Sequence, residues 1–282
     1  MSLPSRTPVW SGIGRPLDFR HRSNRFVVIA AGLAGLGTLA WGWSVGRDEV
    51  VLLSFRVAVS VFLAWAIGRE LDPDDTNPAA VATVVVLPLV ALGPPSLSSS
   101  AAALIAVRIV VRTTGRSLQW IDGVVLIAAA AYLGTQSQTW PALAAVILAV
   151  GIDRFVTPPG PARTLWFSAV MAMAALVGAM AFSTPPASTQ PSRPEWIVIG
   201  VTLAAALLAL VTTRPPRSRG DSRDESLSQP RLRFGRMLVL LLVMAAIFGG
   251  GLAISGLSPL WAAIIGVAIA QVARRPRRDG SP

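Results

Sequence analysis

The sequence contains no cysteine and no lysine, and only one histidine and one tyrosine. Without cysteine there is no disulfide, no thiolate metal centre and no cysteine nucleophile. His21 alone cannot build a histidine metal cluster, and its arginine-rich surroundings make it a solvated residue of a leader segment. Charge is scarce too: 14% of residues are charged against 53% hydrophobic, where a soluble domain carries about 25% charged residues. That balance excludes an ordinary soluble domain and points to a membrane protein. Also missing are a phosphate-binding P-loop, a Gly-x-Gly-x-x-Gly dinucleotide-binding pattern and a His-Glu-x-x-His pair.

What is present is arginine, 25 residues of it, set among alanine, valine, glycine and proline. This usage suggests a GC-rich bacterial coding bias. The net charge of +11 would suit nucleic acid, but the arginines alternate with apolar runs instead of forming one basic patch. No nucleic acid is expected, and the partner they imply is a bilayer with an anionic inner leaflet.

A bilayer core of about 30 Å takes roughly 20 helical residues. Ten apolar runs approach that size: 26–45, 50–68, 78–93, 97–113, 119–135, 140–155, 163–182, 195–213, 235–255 and 258–273. The third, fifth, sixth and tenth are short enough to be re-entrant or buried in the bundle. The fold class expected is all-α, a polytopic bundle of about ten transmembrane helices. Numbering the loops alternately as inner and outer puts 22 arginines inside and two, Arg47 and Arg193, outside, with Arg56 within the second run. The positive-inside rule then places both termini in the cytoplasm of a bacterial inner membrane. Tryptophans and Tyr132 fall near the ends of the runs, where interfacial rings anchor helices.

Composition divides the chain into a basic leader (1–25), an eight-span unit (26–213), a polar cytoplasmic linker (214–235), a C-terminal hairpin (236–273) and a basic tail (274–282). Ala30, Ala34, Thr38 and Gly42 form a small-residue stripe suited to close helix packing. Gly249, Gly250 and Gly251 mark either a packed or kinked helix or an unwound one of the kind transporters use.

Three groups can carry chemistry. Asp72, Asp74 and Asp75, following Arg69-Glu70, are clustered carboxylates that can hold Mg²⁺ and through it a diphosphate; they equally suit a turn and a helix cap. Arg108, Arg112 and Arg116 recur every fourth residue, which on a helix forms a one-faced ladder able to meet an anion or ion-pair partners. Asp122, and Asp153 with Arg154, lie at comparable depth and are the expected partners. Arg56 sits well inside an apolar run, and so is expected either to line an internal cavity or to form a structural ion pair.

In architecture the chain resembles the drug/metabolite transporter superfamily, with Trp41-Gly42 and Ser54-Phe55-Arg56 echoing motifs of its first half. It also resembles membrane prenyltransferases, whose two Asp-rich motifs lie on inner loops after the second and sixth helices; Asp72, Asp74 and Asp75 occupy the first place and Asp153 the second. The first resemblance implies a small carrier of an amphipathic or anionic metabolite, using alternating access with Arg56 and the arginine ladder as polar lining. The second implies Mg²⁺-dependent lipid-phosphate or prenyl transfer at the cytoplasmic rim. A third alternative is a non-catalytic membrane assembly or scaffold protein. The carrier leads, with a small-molecule or lipid substrate and no cofactor; Mg²⁺ enters only with the transferase.

Overall fold

The computed structural model describes residues 11–15, 17–136, 139–182, 193–220, 226–248 and 254–273. Gly249, Gly250 and Gly251, most of the 183–194 loop, the first ten residues and the tail from 274 lie outside them. The described chain is all-helical, with ten α-helices in chain order: α1 (Arg22–Ser44), α2 (Val50–Leu71), α3 (Asn77–Ala91), α4 (Leu97–Val111), α5 (Trp120–Gly134), α6 (Trp140–Ile152), α7 (Arg163–Phe182), α8 (Arg193–Val211), α9 (Gln229–Phe248) and α10 (Ser258–Ala273). A 3-10 turn at Ile254–Leu257 leads into α10, and the one β-type pairing is an isolated bridge between Arg219 and Ser226.

The helix boundaries follow local chemistry. Proline is the second residue of α3, α6, α8, α9 and α10, where its missing N–H costs nothing and its fixed φ suits the first turn. Ser96 caps α4 by accepting from the Ser99 amide at 3.3 Å. At the other end α4 stops at Val111, because Arg112 turns left-handed at φ 55° and Gly115 at φ 74° continues the reversal. α9 begins at Gln229, inside the stretch expected to be linker. Charged side chains end an apolar run without ending the hydrogen-bond ladder, so Arg231, Arg233 and Arg236 extend the helix.

Among the described residues three helices are long and apolar enough to cross a membrane: Arg22–Ser44, Val50–Leu71 and Arg163–Met180. Six other apolar helices are shorter; one of 15 residues, such as α3, rises about 22 Å, less than a hydrocarbon core. Large apolar side chains nevertheless face outward around the bundle. Ile29, Leu33 and Leu36 on α1, Val124 on α5, and Met173 and Met180 on α7 are all more than half exposed. Exposed apolar side chains in this number fit a surface with an apolar cover.

The centre of the bundle is α2, α3, α4 and α10. α1 lies outside on α2, burying Val27 and Gly35 while Ala30 and Ala34 pack more loosely against the core. α5 and α7 pair with each other and reach α4 through α6; α8 closes on α10 and α9 on α4. The last helix is thus central, packed on α3, α2 and α8. Trp65 and Trp261 belong to this interior, 6% and 2% exposed, so they are core residues and not interfacial anchors. Trp65 donates to Ser23 at 3.1 Å.

Gly266 sets how closely α10 approaches α3, since a Cβ there would stand 2.5 Å from the Pro78 carbonyl oxygen. Gly266→Ala should therefore push the two helices apart and lower the thermal midpoint of the detergent-purified protein, a loss of about 1–3 kcal/mol. Gly32→Ala, with nothing within 4 Å of the added carbon, should leave the midpoint unchanged or slightly raised.

Candidate functional site

Charged side chains gather at one end of the bundle, where α2, α4 and α6 finish and α5 and α9 begin. Glu70 closes α2 with no side-chain exposure and accepts from Arg108 Nε at 2.7 Å and from the Thr113 hydroxyl; Arg15 stands 3.8 Å away. Arg108 also donates to the Ile13 carbonyl at 3.2 Å. Asp153, 1% exposed, lies between two guanidiniums. Arg112 grips it with two bonds, Nε to Oδ1 at 2.9 Å and Nη2 to Oδ2 at 2.8 Å, and Arg231 adds one at 2.9 Å. Arg231 donates further to the carbonyls of Val110, Val156 and Pro158. It lies in the first turn of α9, ahead of the apolar run. There burial, helped by neighbouring Arg112 and opposed by Asp153, lowers the guanidinium below its ordinary pKa. An arginine tolerates that shift and stays charged.

The leader is docked as well. Asp122, at the start of α5, accepts from the Ser11 hydroxyl, from the Gly12 amide at 2.7 Å and from the Gln119 amide at 2.8 Å, while Thr114 donates to the Gly12 carbonyl at 2.7 Å. A Cβ on Gly12 would fall 2.6 Å from the Ser117 carbonyl oxygen, so only glycine lets the leader lie this close.

The three spaced arginines therefore diverge. Because α4 ends at Val111, Arg108 turns to Glu70, Arg112 to Asp153, and Arg116 lies beyond the helix. Among the described residues the Arg154 side chain reaches only the Gly160 carbonyl, at 3.3 Å. Arg56 is half-buried on α2 beside exposed Leu52 and Phe55; its carbonyl accepts from the Ser60 hydroxyl at 2.7 Å, while its guanidinium makes no hydrogen bond or ion pair with the described residues. Asp75 accepts from the Asn77 amide at 3.0 Å, a helix-start contact. Asp74 fastens the segment after α8, accepting from the Arg217 amide at 3.0 Å and from the Ser218 amide and hydroxyl at 2.8 and 2.7 Å. Among the described residues no three His, Cys, Asp or Glu side chains converge as a metal-holding set.

Asp72 and Asp74 do meet in a cavity of about 150 Å³. The rest of the lining is Thr212 and Arg214 after α8, Arg236 of α9 and Gln271 of α10, with Leu208, Leu232 and Val272 as its apolar part. Arg236 is locked in place by the Leu71 carbonyl, at 3.1 and 2.8 Å, and by the Thr213 hydroxyl at 2.9 Å. A separate narrow apolar slot is lined by Leu71, Ala209, Arg236, Ile264 and Val267. Arg56 lines neither space.

No family model, curated protein or solved structure matches this chain.

Arg231, Arg236 and Gln271 had no signal as site residues in the sequence, and Glu70 appeared there only as part of the acidic stretch. The two arginines counted only as positive charge before an apolar run, and their burial depends on how α9 packs against α4, α6 and α8.

Removing the carboxylate between two buried guanidiniums leaves both uncompensated. Asp153→Asn should cost about 3–5 kcal/mol of stability, read as a large fall in thermal midpoint that added salt does not reproduce. Arg154→Gln, losing one bond to a carbonyl, should cost about 1 kcal/mol. Equal effects would show that Asp153 is not the centre of this rim.

Proposed function

We propose that this chain is a multi-pass protein of the bacterial cytoplasmic membrane, crossing about ten times with both termini inside, and that it acts as a small carrier of an amphipathic or anionic metabolite. Three long apolar helices and an outward-facing apolar surface support the membrane part. The alternation of arginine-rich and arginine-poor loops supports the orientation. The short helices fit a bundle whose inner members need not meet lipid along their whole length.

The observation that carries the carrier part is the cavity at the charged end, lined by both signs of charge within an otherwise apolar bundle. It lies between α8, α9, α10 and the α2–α3 loop, so rocking of these elements would open or close it. Arg56 lies about 24 Å along α2 from Asp72, at the rise of a helix, and supplies a second polar station toward the opposite face.

A second reading has its own support. Two carboxylates beside Arg214 and Arg236 are a donor set for Mg²⁺ and a diphosphate, which would make the protein a lipid-phosphate or prenyl transferase at the cytoplasmic rim.

The absence of cysteine makes the topology directly testable. Single cysteines replacing Arg219 and Ser117 should be labelled by an impermeant maleimide only after the membrane is opened, and one replacing Arg47 from intact spheroplasts. The reverse pattern would overturn the orientation. For function, proteoliposomes should show saturable uptake of at least one of a panel of short-chain alkyl phosphates and carboxylates, reduced at least roughly tenfold in Arg56→Gln without loss of thermal midpoint. Uptake equal to empty liposomes throughout, with a midpoint raised only when Mg²⁺ and prenyl diphosphate are both present, would favour the transferase.

A further inference from the structure

We infer that Arg56 holds the phosphate of an anionic phospholipid of the outer leaflet, whose acyl chains lie along the apolar face of α2. This rests on the membrane orientation proposed above and does not need transport. Arg56 lies within a helix long and apolar enough to cross a membrane, and its guanidinium makes no hydrogen bond or ion pair with the described residues. Arg108, Arg112 and Arg231 at the rim are each met by a carboxylate. A cation within a span that the protein leaves unmet needs an anion from its surroundings. In a bilayer those anions are lipid phosphates.

Helix packing sets the depth. Gly42 of α1 packs against Val50 of α2, so the exposed rings of Trp41 and Trp43 lie level with the start of α2. Such rings settle among the headgroups. Arg56 is six residues further on, about 9 Å at the helical rise, and its long stem shortens that distance by running along apolar surface toward the headgroups. Room exists there because α3 stops. α2 and α3, joined by the short 72–76 loop, run antiparallel, and a Cβ on Gly68 would stand 3.0 Å from the Cα of Ala79. Arg56 precedes Gly68 by the same twelve residues by which Ala91, the last residue of α3, follows Ala79. Beyond that level α3 no longer covers α2, and the chain turns away through exposed Leu92 and Pro94.

The surroundings of Arg56 identify the rest of the ligand. Leu52, Phe55, Arg56 and Val59 share one face of α2 by their spacing, with Leu52 43% and Phe55 60% exposed. Acyl chains fit that face, and the guanidinium fork takes two phosphate oxygens at once. A zwitterionic headgroup would bring its ammonium toward the same guanidinium, which favours a net anion. Two neighbours leave the site to Arg56. Arg47, in the α1–α2 turn, lies over the Trp41 ring at 5.8 Å from its centroid. Glu49, on the same face of α2 two turns earlier, is about 10 Å away at the helical rise and makes no ion pair with Arg56.

The test is binding to the full chain in a maltoside detergent, read as ligand-dependent thermal midpoint. The probes are dihexanoyl phosphatidylglycerol, uncharged dihexanoylglycerol and tail-free glycerol phosphate. The phosphatidylglycerol should bind at least about tenfold more tightly than either of the others. Arg56→Gln should weaken it at least about tenfold and leave the ligand-free midpoint unchanged, since the guanidinium has no partner among the described residues. Arg233→Gln, which removes an exposed charge at the opposite end, should bind the lipid as the wild type does. Uncharged lipid or glycerol phosphate binding as tightly as phosphatidylglycerol would overturn the inference. So would an equal loss in the two variants, or a ligand-free midpoint lowered by Arg56→Gln. Uptake lost in Arg56→Gln while lipid binding persists would sink this inference and leave the carrier standing. Lipid binding that depends on Arg56 in a protein without uptake would do the reverse.

Discussion

A carboxylate placed inside an apolar bundle must be met by cations before the helices around it can close, because an uncompensated buried charge costs more than the packing of a few side chains returns. Asp153 has this position. It ends α6, and it is met by Arg112 at the end of α4 and Arg231 at the start of α9. Three helix ends remote in sequence are joined at one point. Arg112 can reach only because it leaves the helix in the left-handed conformation, and Arg231 brings the carbonyls of the α4 and α6 ends into the same cluster.

Glu70 and Asp122 repeat this design on a smaller scale, one tying α2 to α4, the other tying α5 to the leader. The consequence is an asymmetric molecule. One end is cross-braced by buried ionic contacts, and the rest is held by close approach of small residues along α2, α3 and α10. The cavity lies beside the braced end, where Arg236 donates to backbone carbonyls and to the Thr213 hydroxyl. A binding site here shares its walls with the structural braces, which fixes its groups firmly in place.

Much of the fold was legible from sequence. Apolar runs, paired prolines and charges place ten helices within a few residues of where they occur, because helix formation is decided by contacts three and four residues away. The divergences have local causes. α9 started early because a few arginines do not stop a helix, and the spaced arginines parted because Arg112 is a helix cap. The turn and cap chemistry foreseen for the Asp72–Asp75 stretch is what Asp75 does at the start of α3.

By itself the sequence determined the helical class, the apolar character, the helix boundaries and the excess of arginine, since each is a property of composition or short-range spacing. Tertiary structure alone decided which arginine meets which carboxylate, that the leader docks on Asp122, that α10 lies at the centre, and that two Asp and two Arg share one cavity. The ion pairs and leader contacts among these join residues 38 to 111 positions apart. The physical reason is that a buried charge selects its partner by the packed geometry of whole helices, and no local pattern in the chain encodes that geometry.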